Sequence, residues 1–183
     1  MVTKHQLEQG SEEWLKARNG KFTGSNAIKL LKYGRKAQAM AKLQEFKGNY
    51  WTKRGHNLEP FAVQTYELVK EVKVETCGFM TNSDYPDCLY SPDGWHDDTL
   101  IEVKCFKEEK HLSIKRNNIP AEILAQIHFG LIICELKKAN LVLFSDEVDE
   151  RKGLRILPVK RDKRLETRLK NLMKGEQSGK DNK

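Results

Sequence analysis

The alternation in Leu100-Ile101-Glu102-Val103-Lys104-Cys105-Phe106 constrains this chain more than any other stretch. Successive side chains on a β-strand point to opposite faces, so Ile101, Val103 and Cys105 share one face and Leu100, Glu102 and Lys104 the other. One face is greasy and suited to a core, while the other sets an acid beside an amine. Upstream stands Ser91-Pro92-Asp93-Gly94, and the polar run His96-Asp97-Asp98-Thr99 between them suits a tight turn. With Asp97 and Asp98 as the turn residues, the register pairs His96 with Thr99 and Asp93 with Glu102. Directly opposed residues on an antiparallel pair have Cβ atoms about 4.5–5.5 Å apart. Two carboxylates that close repel unless one is protonated or a cation sits between them. Acid-any-lysine triplets are common in a chain that is 32% charged, and Asp-Gly after Pro is ordinarily just a turn. A structural hairpin, however, has no reason to oppose Asp and Glu, and the combination points to a divalent metal.

Size and composition narrow the classes. At 183 residues the chain fits one domain with a proper core. No apolar run is long enough to span a bilayer, and the start Met1-Val2-Thr3-Lys4-His5-Gln6 is polar, without the features of a signal peptide. Cys77, Cys88, Cys105 and Cys134 lack the close pairs of a zinc or iron–sulfur site and read as small core residues in a reducing compartment, so a cytoplasmic protein is expected. The net charge is +7, and from Lys160 to Lys183 nine Lys/Arg stand against four acids, a net of +5. Within that stretch Leu165, Leu169 and Leu172 form one helical stripe and Arg161, Arg164 and Arg168 another. The pattern predicts a docked amphipathic helix followed by a flexible basic tail over 175–183, and a polyanion rather than a membrane as partner.

The remainder predicts an α/β layered domain, residues 1–174, whose mixed sheet is covered on both faces. Ser11 caps a short helix that ends at Gly20, with Glu12 and Glu13 in its first turn. Thr23-Gly24-Ser25-Asn26 opens a second over Ala27 to Tyr33. A third follows Gly34-Arg35 through Phe46, a fourth runs from Asn57 to Lys70 with Pro60 in its first turn, and a fifth from Pro120 to Glu135. Val72 to Met80, Cys88 to Trp95, Leu100 to Phe106, Leu141 to Phe144 and Leu154 to Val159 read as strands.

Several single residues carry two readings. Glu59 opens its helix, where an acid ordinarily only complements the dipole. Gln126 interrupts an apolar helix and must find partners, either in an ordinary buried hydrogen bond or in a site. His128 lies off the Gln126 face and reads as structural. Arg18, Ser25 and Ser91 are residue types that hold a phosphate, Arg by forking onto its oxygens.

Six motifs then occur in a telling order: Glu13-Trp14 with Arg18; Gly20-Lys21-Phe22-Thr23-Gly24-Ser25; Gly55 with Glu59-Pro60; Ser91-Pro92-Asp93-Gly94; Glu102-Val103-Lys104; and Ala125-Gln126. Together they resemble the PD-(D/E)XK nuclease superfamily, and more closely its phage lambda exonuclease and YqaJ-type viral recombinase family. The resemblance implies a restriction-endonuclease-like core and a Mg²⁺-dependent nuclease, with Mn²⁺ as a substitute, that degrades duplex DNA from the 5′ end in recombination. It implies that Glu59, Asp93, Glu102 and the Val103 carbonyl bind one or two ions, that Lys104 activates or orients the attacking water, and that Gln126 helps position it. Arg18, Ser25 and Ser91 would form a pocket for the terminal 5′-phosphate. DNA is the implied partner, and a single-strand annealing protein and further copies of this chain stay open. So do two other readings, a single-strand or flap endonuclease of the same fold and a non-catalytic DNA-binding scaffold. Cys105-Phe106 departs from the Cys-Pro of many relatives, which bears on how that strand ends.

Overall fold

The structure, a computed structural model, describes residues 1–37 and 50–175, without the side chains of residues 50–53. Among them, β1 (Val2–His5), β2 (Phe79–Asn82) and β3 (Leu89–Tyr90) form an antiparallel sheet in the order β1-β2-β3. A second sheet runs β4-β5-β6-β7, from β4 (Gly94–His96), β5 (Thr99–Cys105), β6 (Lys138–Phe144) and β7 (Leu154–Val159). Its central pair β5–β6 is parallel and its two outer pairs are antiparallel, so the expected mixed sheet is present.

The helices are α1 (Glu12–Arg18), α2 (Ala27–Tyr33), entered through a 3₁₀ turn at Gly24–Asn26, α3 (Tyr50–Lys70), α4 (Glu108–Ser113), α5 (Ala121–Ile133), α6 (Glu150–Gly153) and α7 (Lys163–Lys174). A parallel pair needs a crossover, and α5 lies on the one between β5 and β6. On one face of the sheet, Ala62 and Tyr66 of α3 pack on Ile101, Val103 and Val142. On the other, Ile127, Phe129, Leu131 and Ile133 of α5 pack with Leu100, Leu141 and Leu143, and Leu30 of α2 and Leu169 and Met173 of α7 join the same cluster. Ser11 caps α1 by accepting from the Trp14 amide, as its sequence position implies.

Other expectations change. The stretch from Cys88 to Trp95 is two strands in two sheets, because Pro92 has no N–H to donate to a ladder and the chain passes between sheets at Ser91-Pro92-Asp93. Of Val72 to Met80 only the end enters β2, while Glu75 makes an isolated pair with Trp95. The strand β1, in the polar start, was not expected. Helix α3 begins at Tyr50, so Pro60 and Glu59 lie inside it rather than at its start. Proline there removes one hydrogen bond of the helix, a loss offset by burial of Ala62 and Tyr66 just beyond it. Most of the predicted helix after Gly34-Arg35, and the tail beyond Gly175, lie outside the described residues.

Two arginines of the predicted basic stripe, Arg161 and Arg168, have partners, one in the last helix itself and one on the body. Arg161 precedes the Asp162 cap of α7 and forks onto Glu166, at 2.7 Å to each carboxylate oxygen. Arg168 donates to the Leu31 carbonyl at 2.9 Å. Phe106 donates its N–H to the Phe144 carbonyl at 3.1 Å, a bond proline could not make, and this closes the last pair of the ladder, Cys105 with Phe144.

Candidate active site

The site begins at the hairpin. His96 pairs with Thr99, Trp95 with Leu100 and Gly94 with Ile101, the register the turn residues imply. Asp97 carries φ +48°, a left-handed value that Asp tolerates. The ladder with β4 stops at Gly94, so beyond Ile101 that edge of β5 has no strand partner among the described residues. Asp93 takes the place of one: its Oδ2 accepts the Val103 N–H at 2.6 Å. The hairpin therefore sets Asp93 beside the strand that carries Glu102 and Lys104.

Glu102 is fully buried, although alternation assigns it to the polar face. A buried carboxylate needs donors, and it has three. Lys104 Nζ and Gln126 Nε2 each donate to Oε1 at 2.5 Å. The Tyr90 hydroxyl donates to Oε2. Gln126 is thus the polar interruption of α5 aimed at the acid of β5. His128, by contrast, is structural: it bonds the Leu124 carbonyl at 2.8 Å, and its Nε2 accepts the Asp162 N–H at the start of α7. Tyr90 is a residue the sequence reading missed, since a tyrosine in an apolar strand carries no mark of its partner.

The electrostatics gather the remaining acid. Burial pushes the Asp93 carboxyl well above its ordinary range, and Glu102 and Glu59 add to the shift. Burial likewise raises Glu59, with Glu102 adding and His56 and Lys104 opposing. For Lys104, burial favours the neutral amine, but the charges of Glu102 and Asp93 outweigh it and its pKa ends above the usual value. Three carboxyls thus share one region with the Lys104 ammonium, a surplus of negative charge that suits a cation. Cys105, near Glu59 and Asp93, is pushed up to about 12 by burial and by those acids. Hard oxygen donors without thiolate or clustered imidazole fit Mg²⁺ or Mn²⁺ better than zinc. Among the described residues no three His, Cys, Asp or Glu groups form a ready-made ion cage; Glu102 gives both oxygens to protein donors.

A second constellation adjoins the first. Ser91, two residues before Asp93, accepts from Arg18 Nη1 at 3.1 Å and from Trp14 Nε1 at 3.2 Å. The Arg18 guanidinium lies 4.2 Å over the Trp14 ring. Burial pulls Arg18 down to about 10, which leaves it charged at neutral pH, and among the described residues no carboxylate pairs with it. Ser25 is exposed, with its Oγ 3.1 Å from Thr23 Oγ1, and its neighbour Gly24 lies against Tyr90.

A model of the YqaJ-like viral recombinase domain matches residues 13–137, more than half of the chain. Among solved structures, the chain resembles an alkaline exonuclease from Laribacter hongkongensis, LHK-Exo, with TM-score 0.76 and 24% identity over 91% of this chain and 90% of that one. The dAMP complex of LHK-Exo gives TM-score 0.78 at the same identity and coverage. A phage-related exonuclease from Haemophilus somnus 129PT gives TM-score 0.56 at 14% identity, covering 97% of this chain and 93% of that one. No curated protein matches the sequence. Among the described residues no helix is long and apolar enough to cross a membrane. The chain belongs to the YqaJ-like viral recombinase domain family and has the restriction-endonuclease-like fold of the alkaline exonucleases it resembles.

Proposed function

We propose that this protein is a Mg²⁺-dependent deoxyribonuclease, a single domain over residues 1–174 that digests linear duplex DNA from 5′-phosphorylated ends. The observation that carries this reading is the Glu102 carboxylate, buried and gripped by Lys104 and Gln126, with Asp93 at the adjoining strand end. Glu59, Asp93 and Glu102, with the Val103 carbonyl, would hold the metal, which when bound neutralises phosphoryl charge and lowers the pKa of the attacking water.

The chain's own groups supply the rest. Lys104, kept protonated by its acidic neighbours, stabilises negative charge as it develops on the phosphoryl group. Gln126 fixes the Glu102 carboxylate from the helix side and orients what approaches it. Arg18 offers a fork of donors that suits a terminal phosphate, with the Ser91 hydroxyl beside it, and the exposed Ser25 hydroxyl would complete the pocket. A phosphate seated at Ser91 is only two residues along the chain from Asp93, which couples recognition of an end to the cutting site.

The test incubates 5′-phosphorylated linear duplex and closed circular single strands with Mg²⁺, with and without chelator. Digestion of the duplex alone, abolished by chelator, is the expected result. Loss of the circle would transfer the reading to an endonuclease of single strands or flaps. No metal-dependent cleavage of any DNA would leave a DNA-binding scaffold.

A further inference from the structure

Tyr90 closes β3 immediately before Ser91, and its ring is almost entirely buried. Two glycines make room for it. A Cβ added at Gly24 would stand 2.4 Å from the Tyr90 Cε2, and one at Gly130 would stand 2.5 Å from its Cζ. Contacts that close exclude any side chain at either position, so the 3₁₀ turn and α5 together form a slot that fits this ring. Phe129 flanks it, with ring centroids 6.4 Å apart. The one polar atom of the side chain emerges from the slot at Glu102 and donates to Oε2. The other two donors of that carboxylate both use Oε1.

We propose that Tyr90 is a positioning residue of the active site: its hydroxyl holds Glu102 Oε2 while Lys104 and Gln126 hold Oε1, and so fixes the orientation of the carboxylate that would serve the divalent cation. The inference rests on the nuclease reading above. Its physical basis is the softness of the terminal torsion of Glu, which is broad and roughly two-fold, so a carboxylate gripped at one oxygen can still pivot. A donor on a ring confined by two glycines removes that freedom without adding charge. No bond is made or broken at Tyr90. Because Ser91 follows directly, the slot also ties the placement of the acid to that of the Arg18-bound serine.

The experiment is Tyr90→Phe, which keeps the ring and removes only the hydroxyl. Mn²⁺ binding to the DNA-free protein is followed by calorimetry, and cleavage of linear duplex is followed against Mg²⁺ concentration. Loss of an outer hydrogen-bond partner typically weakens a metal site about 10- to 100-fold. The expected result is a Mn²⁺ dissociation constant and a half-saturating Mg²⁺ concentration each about tenfold higher, with kcat at saturating Mg²⁺ reduced less than about threefold. A drop in melting temperature or kcat with unchanged metal dependence overturns the proposal, because that is what a merely structural tyrosine does. Should Tyr90→Phe not fold, wild-type protein labelled at the tyrosine ζ-carbon is titrated with Mg²⁺; a Tyr90 resonance that does not move as metal binds overturns the proposal equally. Wild type that neither binds Mn²⁺ nor cleaves DNA defeats the nuclease reading itself, a result distinct from wild type and Tyr90→Phe being equally active.

Discussion

The two faces of β5 are both covered, yet they are built on opposite terms. Ile101 and Val103 meet Ala62, Tyr66 and Val142 in a small hydrophobic cluster in which the contact is apolar packing. One residue along in each case, Leu100 enters the main core, Glu102 is enclosed by Tyr90, Lys104 and Gln126, and Lys104 stays partly open. Alternation alone says that one face is apolar and one polar. It does not say that the polar face is also roofed by a helix, which turns an exposed acid into a buried one that needs a donor for every oxygen. The lesson is that the polar face is specified by hydrogen-bond partners and the apolar face by volume, so substitutions on the two should fail differently.

The largest expected effect is on the polar face. Lys104→Ala should reduce cleavage by on the order of 10²–10³-fold or more, while a gel-shift assay in Ca²⁺ shows DNA binding retained. A comparable loss of binding would mean that Lys104 serves affinity and not chemistry. Next comes Arg18→Ala, which removes a charged hydrogen-bond donor worth about 1.5–3 kcal/mol. It should slow digestion of 5′-phosphorylated ends on the order of tenfold more than hydroxyl ends. Equal slowing of both would detach Arg18 from end recognition.

The apolar face provides the contrast. Ile101→Val should cost about 0.5–1.5 kcal/mol in denaturant unfolding and leave the cleavage rate per folded molecule within about twofold. A large activity loss at unchanged stability would show that the faces are not separable. The smallest effect concerns a group remote from both. His111 is fully buried, its Nε2 lies 2.8 Å from the Lys152 carbonyl, its Nδ1 has no partner among the described residues, and burial lowers its pKa. A base whose pKa is depressed by folding contributes stability that is complete above the ordinary histidine value of about 6.5 and is lost as pH falls below it. Wild type should therefore lose melting temperature between pH 7.5 and 5.5 more steeply than His111→Asn. Parallel curves for the two proteins would assign the acid sensitivity elsewhere.

Much of the site was legible because the informative signals are local. The turn at Asp97-Asp98 sets the hairpin register within a few residues, and a shift of one would flip every side chain of β5 to the wrong face. Ser11 at a helix start and Gln126 in an apolar helix were similarly readable, since a cap or a stranded polar group demands a partner whatever the fold. Less visible was the division of Cys88 to Trp95 between two sheets, where Pro92 was the available clue. Glu59 was read as a helix-start acid because Pro60 favours a first turn; burial of the α3 face overrode that preference. Arg161 and Arg168 looked like a cationic stripe, but Arg161 is tied to Glu166 five residues along, and the Leu31 carbonyl that Arg168 meets comes from packing alone.

The amino-acid order by itself determined which side chains share a strand face, where the hairpin turns, and that oxygen donors and one ammonium are the chemistry available. Tertiary structure alone decided that Glu102 is buried, that Tyr90 reaches it through a slot between Gly24 and Gly130, that Glu59 comes within electrostatic reach of Glu102, and that Arg18 meets Ser91. The physical reason is range. Backbone periodicity and turn chemistry act over a few residues, whereas the desolvation of a carboxylate and the donors it then requires depend on groups brought together from distant parts of the chain.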